Sequence, residues 1–147
     1  MNYRPIARVD YLVVHCSATR EGQHFTAKDI DQWHRKQGWR SIGYHYVILL
    51  DGTVQKGRPD DQPGAHVQGY NSNSLGIVYI GGVAADGKTP KDTRTPAQKA
   101  ALEKLLRELK AKHPNAVIQG HRDFPRVAKA CPSFGVKEWL TEINFPK

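Results

Sequence analysis

Cysteine and long hydrophobic runs are scarce in this chain of 147 residues, and each scarcity excludes a class of protein. Two cysteines are too few for the disulfide framework that stabilises small secreted domains. No apolar run approaches the roughly 18–20 residues that a membrane-spanning helix needs. The N-terminal stretch has charged side chains and only a short apolar run, so it does not have the pattern of a signal peptide. Repeats, low-complexity tracts and interdomain linkers are also lacking, so we expect a single domain over residues 1–147.

Positive charge is abundant and unevenly distributed. The chain has 22 Lys and Arg against 14 Asp and Glu, a net charge of +8, and residues 88–129 alone carry +7. A basic surface attracts polyanions such as nucleic acid, acidic membranes and anionic cell-wall polymers. A solvated helix face with spare lysines is the alternative. Because no nucleic-acid motif with aromatic platforms or a base-reading helix is present, we expect no direct nucleic-acid binding.

Periodicity, caps and turn residues predict an α/β domain. Helices are predicted over about 26–38 and 95–112, and a short one near the C-terminus. Thr95, Pro96 and Gln98 form a capping box with proline at the first helical position. Short β-branched and aromatic runs predict strands at 10–16, 44–50, 53–56, 75–80 and 116–119. Asp51-Gly52 predicts a hairpin, so hairpin-joined and helix-joined strands both occur. The pattern therefore favours a central mixed β-sheet flanked by helices, with a long polar loop over 58–73.

Three residues have the side-chain types that a catalytic zinc ion takes. His15 ends an otherwise apolar strand, where its ring must be hydrogen-bonded or must bind a ligand. His121 follows a short strand, and Cys131 comes ten residues later. Zinc with three protein ligands and one open position is the catalytic arrangement. The spacing is not a local zinc motif, so a hydrogen-bonded structural His15 is an equal alternative.

The other thiol and histidines have simpler interpretations. Neighbours on a strand point to opposite faces, so Cys16 is interpreted as a small buried hydrophobe beside His15. A cysteine nucleophile, Cys16 or Cys131, activated by a histidine stays open as a rival. His45 is interpreted as structural. Solvated surface positions are expected for the remaining histidines outside the loop over 58–73: His24, His34 and His113.

Eight segments of the chain carry a resemblance to a known family. In chain order they are VVHCSAT (13–19), WHRKQGW (33–39), IGYHYVILLDGTV (42–54), GAHVQGYNSNSLGI (64–77), GG (81–82), TPAQ (95–98), GHRD (120–123) and KACPSF (129–134). Together they resemble the zinc-dependent N-acetylmuramoyl-L-alanine amidases, the group shared by phage lysozymes of short-tailed phages and animal peptidoglycan recognition proteins. The resemblance covers about residues 10–141. KACPSF and HCSAT point to the single-domain phage enzymes (endolysins).

The resemblance implies a role for each candidate residue. It implies one Zn²⁺ per chain, and catalytic roles for Tyr44 and for Lys129, whose ammonium would stabilise the oxyanion of the tetrahedral intermediate. His66 and Asn71 are the predicted substrate-binding residues. Asp123 either orients His121 or closes a turn. The predicted zinc ligands are His15, His121 and Cys131.

The resemblance implies a peptidoglycan hydrolase that cuts the amide between N-acetylmuramic acid and L-alanine. We expect a monomer that binds muramyl peptide and no membrane. It would be held in the host cytoplasm until released to the periplasm and cell wall. Two alternatives stay open: a peptidoglycan-binding module without activity, and an amidase that also regulates a phage RNA polymerase.

Overall fold

The structure, a computed structural model, describes residues 3–145. Within that range seven strands and three α-helices follow one another along the chain. They are β1 (Tyr11–Cys16), β2 (Thr19–Arg20), α1 (Ala27–Lys36), β3 (Tyr46–Ile48), β4 (Val54–Lys56), β5 (Ser74–Tyr79), β6 (Gly82–Val83), α2 (Pro96–Lys112), β7 (Val117–Gly120) and α3 (Val136–Glu142). None of these helices combines the length and apolar character that crossing a bilayer requires.

The main sheet is mixed, as the sequence predicts. Its strand order is β4-β3-β5-β1-β7, and every pair is parallel except the β3–β4 hairpin at one edge. The hairpin turns at Asp51-Gly52: Gly52 has φ +89°, and the Asp51 carboxylate accepts the Thr53 N–H at 2.9 Å. The two-residue strands β2 and β6 form a second, small sheet. They are too short for any periodic signal, so the sequence does not predict them.

The helices begin where their capping residues place them. The Thr95 hydroxyl accepts the Gln98 N–H at 3.0 Å, and the Gln98 side chain accepts the Thr95 N–H in return at 2.9 Å. The Gln98 amide then donates to the carbonyls of Ile48 and Ile80, which joins the start of α2 to two sheet strands. At the start of α1 the Asp29 carboxylate accepts both the Thr26 N–H at 2.8 Å and the Thr26 hydroxyl at 3.1 Å.

The two faces of the sheet are packed differently. Leu12, Val14 and Cys16 of β1 face the layer formed by α2 and α3. Ile30 of α1 covers the opposite face over β3 and β5. Around β1 that opposite face is packed by Val13 with residues of the loops over 58–73 and 121–127. A groove of about 1000 Å³ lies there, lined by residues that include Trp39, 65–71, His121 and 125–129.

Candidate metal centre

Sheet register brings two histidines together at the carboxyl ends of neighbouring parallel strands. Val14 of β1 pairs with Gly120 of β7. His15 directly follows Val14, and His121 directly follows Gly120. Their ring centroids lie 4.6 Å apart. His15 is buried, whereas His121 is partly accessible in a single 3-10 turn at the groove. The first two predicted ligands are therefore neighbours because β1 and β7 are adjacent.

Cys131 reaches the same point from a loop that is tied to the sheet. Its sulfur accepts the backbone N–H of Cys16 at 3.2 Å, and its carbonyl accepts the Arg122 N–H at 2.8 Å. The Tyr79 hydroxyl donates to the Pro132 carbonyl at 2.6 Å. These bonds hold the loop across the end of β1. One donor atom each from His15, His121 and Cys131 lies within 4.8 Å of the others.

The geometry and chemistry of this donor set fit zinc. Nδ1 of His15 lies 3.9 Å from the Cys131 sulfur. Tetrahedral zinc with ordinary Zn–N and Zn–S bonds separates two such ligands by about 3.6 Å. Two imidazoles and one thiol are also the ligand types that zinc selects, and three protein ligands leave a fourth position for reactants.

Electrostatics keep the imidazoles neutral, as metal binding requires. Burial lowers the pKa of His15 well below its usual range, and repulsion from the cationic forms of His66, His121 and Lys129 lowers it further. Burial, and then the charge of Lys129, lowers the pKa of His121. Neutral rings have a nitrogen lone pair available for an ion at pH 7.

The two thiols influence each other in the metal-free chain. The side-chain hydrogen bond between the two thiols, followed by burial, raises the pKa of Cys131. The same hydrogen bond lowers the pKa of Cys16 to about 7. A metal ion on the Cys131 sulfur would displace its proton, because a coordinated thiol is deprotonated. Cys16 packs in the apolar layer with Leu12 and Val14, which agrees with its predicted core position.

Tyr44 lies beside the centre with its ring centroid 5.0 Å from that of His15. Nδ1 of His34 accepts the Gly43 N–H at 2.8 Å and anchors the chain just before Tyr44. His34 is thus half-buried and structural, so the prediction of a solvated position for it is wrong. Nothing in the sequence indicates this contact, because Gly43 lies nine residues further along the chain. Burial raises the pKa of the Tyr44 hydroxyl, so that group stays a hydrogen-bond donor at neutral pH.

Lys129 is exposed and lines the same groove as His121. Its charge acts on His15, His121 and Cys131, which places the ammonium within electrostatic reach of the whole ligand set. Its position is therefore compatible with the predicted oxyanion role.

His66 and Asn71 both line the groove, but each makes internal contacts there. The Asn71 side-chain oxygen accepts the N–H groups of His66 and Val67 at 2.9 and 3.0 Å. His66 is buried, with Nδ1 2.8 Å from Nε2 of His15 and Nε2 3.1 Å from the Ser74 hydroxyl. Both ring nitrogens therefore have protein partners, and substrate binding by these two residues stays a prediction.

Hydrogen bonds define the places of His45 and Asp123 in the structure. Nε2 of His45 donates to the Gln62 carbonyl at 2.7 Å, and its Nδ1 accepts the Gly76 N–H at 3.0 Å, so the ring is structural as predicted. The Asp123 carboxylate accepts the Gly120 N–H at 2.8 Å and closes the turn that carries His121.

Comparison with known proteins gives consistent matches. The family described as N-acetylmuramoyl-L-alanine amidase matches residues 4–134. The endolysin of Klebsiella phage KP32 is 48% identical over 128 residues, covering 87% of this chain and 83% of the relative. The endolysin of Escherichia phage T7 is 45% identical over 130 residues, covering 88% and 84%. Among solved structures, the N-acetylmuramoyl-L-alanine amidase LysC from Clostridium intestinale superposes with a TM-score of 0.77 at 28% identity, covering 99% of this chain and 96% of that one.

Proposed function

The chain belongs to the N-acetylmuramoyl-L-alanine amidase family and is a peptidoglycan hydrolase, and from that premise we propose that it works with one zinc ion held by His15, His121 and Cys131. The observation that carries the proposal is the convergence of these three donor atoms within 4.8 Å, next to a groove that His121 lines. The bond cleaved is the amide between N-acetylmuramic acid and the L-alanine of the stem peptide.

Hydrolysis of an amide needs a strong nucleophile and an activated carbonyl. A zinc ion supplies both when bound, because it lowers the pKa of water to about 7 and polarises the scissile carbonyl. The chain supplies the neutral imidazoles and the thiol that hold the ion. It also places them next to a groove of about 1000 Å³ that His121 lines, and its own polar side chains act on the developing charge.

Transition-state stabilisation is assigned to two side chains: Lys129, which lines the groove, and Tyr44, which lies beside His15. The Lys129 ammonium donates to the oxyanion that forms when the carbonyl is attacked, a charge-assisted bond that strengthens as the charge develops. The Tyr44 hydroxyl, kept protonated by burial, orients the attacking water or donates to the same oxyanion. Both roles act on the reacting atoms and leave the ligand set unchanged.

Chelation tests the proposal directly. The protein is dialysed against a zinc chelator, and lysis of cells with a permeabilised outer membrane is followed by loss of turbidity before and after zinc is restored. We expect activity to be lost and then recovered with one zinc per chain. Activity indifferent to the chelator would refute the metal role. Stoichiometric zinc without lysis would favour the non-catalytic binding module.

Two finer parts of the hypothesis stay predictions. We propose storage in the host cytoplasm until release to the cell wall, which fractionation of infected cells before lysis would test. Regulation of a phage RNA polymerase through the basic surface is tested by a pull-down at low and high salt. Failure to bind at low salt would remove that role.

A further inference from the structure

A directed chain of hydrogen bonds runs from the metal centre into the protein. Nε2 of His15 meets Nδ1 of His66 at 2.8 Å, and Nε2 of His66 meets the Ser74 hydroxyl at 3.1 Å. The Ser74 hydroxyl lies 2.7 Å from the Tyr70 carbonyl, which is 4 residues earlier in the chain. His15, His66 and Ser74 are all buried, so water competes poorly for these bonds.

The direction of the chain follows from its last member. A carbonyl only accepts, so the single Ser74 proton goes to Tyr70, and the Ser74 oxygen must accept from Nε2–H of His66. Nδ1 of neutral His66 then has no proton and accepts Nε2–H of His15. His15 is left with an unprotonated Nδ1, and this is the nitrogen that lies 3.9 Å from the Cys131 sulfur.

The fold provides a close-fitting place for the His66 ring. A Cβ on Gly76 of β5 would lie 2.8 Å from Cγ of His66, and one on Gly64 would lie 2.6 Å from its Cδ2. Both distances are too short for a real Cβ, so the ring occupies space that only glycine leaves. Asn71 fixes the backbone of the same residue. These contacts hold the ring in one orientation.

We propose that His66 is a positioning residue for the metal centre: with Ser74 and the Tyr70 carbonyl, it locks His15 in the Nε2–H tautomer and so presents Nδ1 as the ligand atom before any ion binds. This inference rests on the proposed zinc site. A metal-bound histidine normally donates its other N–H to a carboxylate, carbonyl or water. Here a second histidine accepts that bond, and its own tautomer is set by a backbone carbonyl through one serine.

Zinc affinity gives the first test, measured by competition with a chromophoric chelator at pH 7.5. Ser74→Ala and His66→Phe should each weaken zinc binding by roughly 10–100-fold. His66→Gln, whose amide oxygen can accept from His15, should recover most of the affinity. His45→Gln is the matched control, because His45 is a buried histidine with its tautomer set by Gln62 and Gly76 and no bond to His15. It should change affinity by less than about threefold.

The second test reads the tautomer itself. Long-range ¹H–¹⁵N spectra of the metal-free wild-type protein should show His15 as the Nε2–H tautomer, and Ser74→Ala should shift it toward Nδ1–H. Wild-type affinity in both His66→Phe and Ser74→Ala, or an Nδ1–H tautomer of His15 in the metal-free wild type, would overturn the inference. A wild type that binds no zinc would instead refute the proposed function, and the tautomer spectra would still decide the inference.

Discussion

Acidification should destabilise the metal-free protein, because His15 and His66 are buried as neutral rings. Burial holds the pKa of each well below the usual value, with smaller contributions from neighbouring positive charges. An unfolded histidine has a pKa of about 6.5. Below that pH the unfolded chain takes up protons that the folded chain does not, so stability is full above about pH 7 and falls as the pH drops.

The magnitude follows from linkage. Between pH 7.5 and 5.5 each such histidine costs up to about 1.4 kcal/mol, so the pair costs up to about 3 kcal/mol. With an m-value of about 1–3 kcal/mol per M, the urea midpoint should fall by about 1–3 M. The assay is urea unfolding of chelator-treated protein at both pH values, followed by circular dichroism.

Variants separate the contribution of His66 from general acid effects. His66→Gln should remove about half of the pH-dependent loss, whereas His24→Gln, an exposed control, should leave it unchanged. A urea midpoint that is the same at pH 7.5 and 5.5 in the wild-type protein would refute the reasoning. It would mean that the buried rings already carry protons or gain water in the folded state.

Three further predictions concern the proposed site. Cys131→Ala should lose zinc binding and lytic activity together, whereas Cys16→Ala should keep most of both. Elemental analysis measures the zinc, and a turbidity assay measures the lysis. Activity that is blocked by alkylating Cys16 alone would point to a cysteine hydrolase. Lys129→Ala should lower kcat by about 10²–10³-fold with zinc content unchanged, and Lys129→Arg should recover part of it, so loss of zinc in Lys129→Ala would contradict an oxyanion role. Tyr44→Phe should lower kcat by about 10²-fold with little change in KM, and wild-type turnover would remove the residue from the mechanism.

Local signals predict most of the fold. The signals that matter act over a few residues: the capping pair Thr95 and Gln98, the turn Asp51-Gly52, and the apolar run of β1. The predicted bounds of α2, the hairpin and β1 therefore agree with the observed bounds to within about two residues. The β2–β6 pair depends on contacts across more than sixty residues and has no such signal.

Residue types and the family resemblance predict the three candidate zinc ligands, but they do not predict the side chains that support those ligands. His34 and His66 look like polar loop or helix-face residues in the sequence, and only the tertiary packing gives their rings partners. Two features of the sequence do indicate a close contact at this strand. Gly76 lies inside an apolar run, which is typical of a place where another group approaches the backbone closely, and Ser74 is a small polar residue at the start of the same run. Neither indicates which side chain fills the space.

The central place of β1 has a consequence for the order in which the enzyme becomes active. Its neighbours β5 and β7 are synthesised much later than β1. The proposed sulfur ligand, Cys131, lies 116 residues after His15 in the sequence. A nascent chain therefore holds only part of the proposed ligand set until the segment that carries Cys131 is made. A zinc ion bound there would join segments that are far apart in the sequence, and at a free concentration 100 times its dissociation constant it would add about 2.7 kcal/mol to the stability of the folded state. Under the proposed mechanism, hydrolytic activity would thus begin only after the Cys131 loop has folded against β1.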